Sequence, residues 1–226
     1  MLDEKDVRSV LSMDDLISVM ESALDGFSAG SVRQPLRTVV DVASRHAFFG
    51  VMPAFVDGAA PSLGTKLVSV YHSNAARGLP SHLATIVLFD PDTGALQAVL
   101  DGRYITEART AAASAVSAKH LARADSRVLA VLGTGVQARS HIDAIVRVRP
   151  IDEVHVWGRT PAHVRTLIDE ILPSTRVRLV PAASPHDAAS VADIVALVTA
   201  SSEPVLSRRS VREGTHICAE IGRAHV

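Results

Sequence analysis

The 226-residue sequence predicts an α/β chain, an α+β domain followed by a doubly wound parallel sheet. Three observations carry that reading. A short β-branched run, VLAVL at 128–132, ends in the turn Gly133-Thr134-Gly135 and passes directly into a helical pattern. Beyond it strands and helices alternate, which is the signature of a parallel sheet. Ahead of it five β-type runs follow one another at hairpin spacing, which implies a mostly antiparallel sheet.

The first element is an amphipathic helical region over 6–29. Val7, Val10, Leu11, Leu16, Ile17, Met20, Leu24 and Phe27 repeat at helical spacing, with a break near 12–14 and Gly30 as the stop. The β-type runs are LRTVVDVA, AFFGVMPAFV, LGTKLVSVYH, HLATIVLFD and ALQAVLD. Asp57-Gly58, Arg77-Gly78-Leu79-Pro80 and Asp90-Pro91-Asp92-Thr93-Gly94 supply turns between them. An Ala-rich periodic stretch over 104–121 reads as a connecting helix, and the domain boundary is expected near 122–126. The division is therefore 1–124 and 125–226. In the second part, strands are expected at 128–132, 154–158, 176–180, 194–198 and 215–219, with helices at 136–148, 161–171 and 184–191.

Composition narrows the function. The chain is 47% apolar but only 4% aromatic, so its core must be built from Ala, Val, Leu and Ile. A net charge of −1 removes nucleic acid and anionic membranes as main partners. No run approaches the roughly 18 apolar residues of a membrane span, and the first residues are not a signal peptide. Cys218 is the single cysteine, which excludes an intrachain disulfide and fits a reducing, cytoplasmic setting. The ten histidines show no dense metal-ligand spacing, so no metal is expected, and His46, His72 and His82 receive no role.

The chemistry lies in the glycine turn. Gly133 permits a tight turn, Gly135 lets the backbone approach a pyrophosphate, and Ala138 fills the third small position of Gly-x-Gly-x-x-Gly/Ala. This Rossmann-type arrangement puts the backbone amides of Thr134, Val136 and Gln137 against the phosphates, at the positive end of a helix. The next strand ends in Gly158-Arg159-Thr160, with no carboxylate to bind ribose hydroxyls. An arginine there pairs with a 2′-phosphate, so NADP(H) is favoured and NAD(H) stays open, the plain alternative being a solvated arginine at a helix start. Thr199, Ala200 and Ser201 follow the fourth strand at the carboxyl edge where ligands bind, although an ordinary polar loop would read the same. Lys66 lies inside an apolar strand pattern and Arg109 among alanines. Each needs an anion nearby, from substrate or from a structural ion pair, unless its head reaches water.

Taken together and in order, the segments QPLRTVV, VMPAF, LGTKLVSVY, SNAARGLP, DGRYITEARTAAASAVSAKHLA, GTGVQARSH, VWGRT and SSEPVL resemble the ornithine cyclodeaminase/mu-crystallin family, from the first helix to Ala219. The resemblance implies a substrate and dimerisation domain joined to an NAD(P)-binding domain, acting as a homodimer on a small amino or imino acid. It places Arg37, Lys66 and Arg109 at the substrate-carboxylate positions, makes Lys66 the catalytic candidate, and puts Ser81 near the nicotinamide. The activity expected first is NADPH-dependent reduction of a cyclic imino acid such as a pyrroline or piperideine carboxylate. Ornithine cyclodeamination, alanine dehydrogenation and non-catalytic nucleotide binding are the alternatives.

The family pattern departs after the strand at 215–219. Members continue for roughly a hundred residues, about half a domain, and carry an acidic proton-transfer residue after a glycine turn. Here Glu220-Ile221-Gly222-Arg223-Ala224-His225-Val226 does not continue that pattern, and it also reads as the in-frame translation of a common sequencing-adapter oligonucleotide. The expectation is a sheet incomplete at its C-terminal side. The spacing of Glu220 and His225 recommends neither as a substitute acid. General acid–base help is commonly worth about 10²–10⁴-fold, so weak cofactor binding and little turnover are expected of these 226 residues.

Overall fold

A computed structural model describes residues 1–201 and 203–220. His225 and the rest of 221–226 lie outside the described residues, as does Ser202 of the SSEPVL segment. The chain divides into two compact units, 1–106 and 107–226.

The first unit opens with α1 (Glu4–Val10) and α2 (Met13–Ser28). Asp3 and Asp6 form a reciprocal capping box at α1, and the Ser12 hydroxyl caps α2, which is why the helical region breaks where it does. Next come β1 (Val32–Arg33), β2 (Thr38–Val42), β3 (Ala47–Val56), β4 (Ser62–Tyr71), β5 (His82–Phe89) and β6 (Leu96–Asp101). They form one antiparallel sheet in which β1 and β2 both pair with β3, and β3 to β6 follow as a meander. The five expected β runs are all present. Two-residue β1 is additional, too short to leave a pattern of its own.

Helix α3 (Arg103–Leu121) contains the division between units. The expected boundary near 122–126 instead marks the far end of this helix. The reason is its small-residue face: Ala108, Ala111, Ala112, Ala115 and Ala118 are essentially solvent-free, and Ala118 belongs to the core beneath the second sheet. Small side chains give no large hydrophobic signal, yet they let the helix backbone pack closely.

The second unit continues with β7 (Val128–Leu132), α4 (Val136–Val148), β8 (Glu153–Trp157), α5 (Pro161–Ile171), β9 (Arg178–Pro181), α6 (Pro185–Ala189), β10 (Ile194–Leu197) and β11 (His216–Ala219). All pairings are parallel, in the order β11-β10-β7-β8-β9. Both faces of the sheet are covered, so consecutive residues of one strand enter different cores. Leu129 and Val131 pack with α4 and α5, while Ala130 and Leu132 pack with α6. Expected and observed elements agree to within a few residues. At the amino edge of this sheet, Asp193 accepts the N–H groups of Arg127 (2.8 Å) and Val128 (3.0 Å) and pairs with Arg123 and Arg212. Among the described residues no helix is long and apolar enough to cross a membrane.

Candidate dinucleotide and carboxylate sites

The sheet order reverses between β7 and β10, and in such sheets ligands bind beyond the carboxyl ends of the strands at that reversal. Three of the expected segments meet there. Leu132 lies level with Trp157 and with Leu197, so the residues after β7, β8 and β10 emerge side by side. The Gly133 N–H donates to the Trp157 carbonyl at 2.8 Å, and the Val198 N–H donates to the Leu132 carbonyl at 3.0 Å.

The two glycines of the turn do different work. Gly133 has φ of +142°, and a Cβ there would sit 2.6 Å from the Val198 carbonyl oxygen. Gly135 has an ordinary backbone conformation and caps α4 without a side-chain bond, and a Cβ there would meet nothing within 4 Å. The space over Gly135 is thus open, facing first-turn amides that no intrahelical carbonyl satisfies. Gly158 is crowded by Thr134, whose methyl would lie 2.6 Å from an added Cβ. This geometry fits a dinucleotide pyrophosphate: a bare backbone, unsatisfied donors and a helix dipole aimed at one point. Thr134, Gly135, Val136 and Gln137 would hold the phosphates, and the Gln137 Oε1 is buried without a hydrogen-bond partner. Arg159 and Thr160 are exposed after β8, and Thr199, half-buried, and Ala200, exposed, follow β10. The Ser201 hydroxyl donates to the Glu203 carbonyl at 2.8 Å, which shapes its own loop.

Four residues outside the expected set tie α3 to α4. The Ser140 hydroxyl donates to buried Glu107 at 2.6 Å. His141, fully buried, lies 3.1 Å from the Ser114 hydroxyl through Nε2 and 2.8 Å from the Gln137 carbonyl through Nδ1. A carbonyl accepts only, so Nδ1 carries the proton in the neutral ring. Burial pushes the His141 pKa down and so keeps that ring neutral, against the Gln137 carbonyl that raises it. The one sequence signal for these ties is a serine set into the alanine stripe of α3.

Arg109 is half-buried on α3. Burial lowers its pKa while the Glu220 carboxylate raises it. Burial in turn raises the Glu220 pKa, opposed by Arg109 and by the Ser114 hydroxyl at 3.4 Å. The Glu220 carboxylate thus acts on Arg109 within the chain, although spacing gave no reason to associate the two. Nearby on β11, Cys218 is buried, 3.4 Å from His216, and burial pushes its thiol up to about 11. That is a structural cysteine, not a nucleophile.

In the first unit, Lys66 lies opposite Met52 of β3 and Ile86 of β5. Arg37 precedes β2, outside the sheet and exposed, next to Thr38, which lies opposite Val51. Ser81 precedes β5, half-buried, and its carbonyl accepts the Tyr71 N–H at 2.8 Å.

The ornithine cyclodeaminase/mu-crystallin family matches residues 1–224 of the sequence. The chain belongs to that family. It is 42% identical to the ketimine reductase mu-crystallin of Rattus norvegicus over 207 residues, 90% of this chain and 64% of that protein. A Delta(1)-pyrroline-2-carboxylate reductase of Bacillus cereus is 33% identical over 94% of this chain and 65% of its own length. Among solved structures, the Thermococcus litoralis Delta(1)-pyrroline-2-carboxylate reductase in complex with NADH and L-proline superposes with a TM-score of 0.92 at 36% identity, covering 96% of this chain and 67% of that one. This family member thus spans about two thirds of the length of the curated relatives it matches.

Proposed function

We propose that this family member is an NADPH-dependent reductase of a cyclic imino acid of the pyrroline- or piperideine-2-carboxylate class. The observation that carries the reading is the likeness, along both units, to a reductase holding NADH and L-proline, the amine that such a reduction yields. Reduction of the ring C=N adds a hydride to the α-carbon and a proton to the nitrogen. A reduced nicotinamide, when bound, supplies the hydride.

The chain's own residues bind and orient. Arg37, Lys66 and Arg109 take the substrate carboxylate, the guanidinium forks by paired hydrogen bonds and the lysine as a point charge. Lys66 is the catalytic candidate among them. Gly133, Thr134, Gly135, Val136 and Gln137 hold the pyrophosphate, Gly158, Arg159 and Thr160 the adenosine ribose, and Ser81 with Thr199, Ala200 and Ser201 the remainder of the dinucleotide. The absence of a carboxylate in Gly158-Arg159-Thr160 favours NADPH over NADH. A homodimer through the first unit is supported by the exposed apolar Val39 and Val40 of edge strand β2. It is supported also by an archaeal alanine dehydrogenase dimer with bound NAD, which superposes at TM-score 0.88 and 30% identity. The setting we propose is cytoplasmic.

The test follows nicotinamide oxidation by the protein with a piperideine or pyrroline carboxylate. NADPH should be consumed in preference to NADH, with no ammonia released from ornithine. Ammonia release without net cofactor change would replace the reductase reading with a cyclodeaminase. Lys66→Met should lower kcat/KM for the imine by about ten- to a hundredfold, the range for a lost hydrogen bond between charged groups. NADPH affinity should stay unchanged, and a matching loss there would remove Lys66 from the substrate site.

A further inference from the structure

We infer that the cavity between α4 and α5 receives the 2′-phosphate of the dinucleotide's adenosine, with Arg139 and His163 as its contacts and Glu170 as the counter-ion it displaces. The inference rests on the NADP(H) reading above and names residues that reading does not use. The cavity measures about 280 Å³ and opens beside Thr134 and Gly135, the turn that faces the pyrophosphate. Arg139 lines it from α4, and His163 and Glu170 line it from α5.

His163 stands one helical turn after Thr160, and its N–H donates to the Thr160 carbonyl at 3.0 Å. Residues three apart share a helix side. His163 thus lines the cavity one turn beyond the Gly158-Arg159-Thr160 segment, where the ribose of a bound dinucleotide lies in this fold class. A phosphate projecting from the ribose 2′ position would enter between two nitrogenous side chains from different helices.

Glu170 gives the site its character. Its carboxylate pairs with the Arg139 guanidinium, and both side chains are about half exposed, 47% and 48%. An ion pair so open to water is weak, so Arg139 can exchange a carboxylate for a phosphate at little cost. The guanidinium fork matches phosphate oxygens as well as it matches carboxylate oxygens. A nucleotide lacking the 2′-phosphate offers nothing to displace Glu170 and leaves the pair intact. Discrimination thus arises from a partner exchange as well as from the fixed charge of Arg159.

The experiment titrates the whole chain calorimetrically with adenosine 2′,5′-bisphosphate and with adenosine 5′-monophosphate. The bisphosphate should bind more tightly. Arg139→Ala and His163→Ala should each cut that preference by about tenfold or more, the scale of one charge-assisted hydrogen bond, and leave monophosphate binding unchanged. Glu170→Gln should strengthen bisphosphate binding about two- to fivefold by removing the competitor. A full preference surviving in both Arg139→Ala and His163→Ala overturns the inference while the NADP(H) reading stands on Arg159. Bisphosphate affinity unmoved by Glu170→Gln removes the exchange. Equal binding of the two nucleotides by the unaltered chain overturns the NADP(H) reading, and this inference with it.

Discussion

Gly133→Ala should cost about 3 kcal/mol or more of folding stability, the sum of a strained backbone and a backbone clash. Its φ of +142° is a region that L side chains rarely adopt, and the new methyl would lie 2.6 Å from the Val198 carbonyl oxygen and 2.8 Å from its carbon. Neither atom can swing aside, because the Val198 N–H is tied to Leu132 in the sheet. Gly135→Ala is the informative partner. Its backbone is already in an extended conformation open to any residue, and its methyl meets nothing within 4 Å. It should cost no more than about 1 kcal/mol, the difference between glycine and alanine at a helix cap. Dinucleotide affinity should nevertheless fall by about tenfold or more, because the methyl occupies the approach of the phosphates. Urea midpoints and nucleotide titrations of the two variants separate the roles. Equal stability losses would show that the turn is held by something other than the Val198 contact.

Asp193→Ala should destabilise the second unit by about 3 kcal/mol, because it leaves two amides and two guanidinium groups without their shared acceptor. Burial raises the Asp193 pKa, but the Arg127 and Val128 N–H groups, with Arg123 and Arg212, outweigh it and hold the carboxyl below its ordinary value. A carboxyl depressed in the folded state contributes stability above its unfolded pKa of about 3.9 and loses that contribution as pH falls through the folded value. Denaturation midpoints of the unaltered chain should therefore drop below about pH 4, and Asp193→Asn should flatten part of that drop. An acid limb identical in the two proteins would assign the loss to other carboxylates.

The strands of the second unit were legible because most are short apolar runs closed by polar or glycine residues, as strands buried on both faces should be. The glycine turn before α4 was legible for the same reason, since its conformation belongs to consecutive residues. The placing of Lys66 opposite Met52 and Ile86 was not. It depends on register, a property of strands meeting, which LGTKLVSVY does not contain alone. Asp193 was equally hidden, because its partners lie far from it in sequence, at 123–128 and at 212, and a lone aspartate before a strand is unremarkable. The unit boundary moved for a different reason. The turn at 122–126 has the composition of a linker, but Ala118 near the end of α3 already belongs to the core beneath the parallel sheet, and the units divide at 106/107. Sequence marks where a chain bends, and burial decides which body it bends with.

Trp157, the single tryptophan of the chain, ends β8 with its carbonyl on the Gly133 N–H. All indole emission therefore originates at the lip of the nucleotide cleft. Reduced nicotinamides absorb where tryptophan emits, so occupancy of the cleft should register as quenching by energy transfer, an optical gauge that needs neither a label nor turnover.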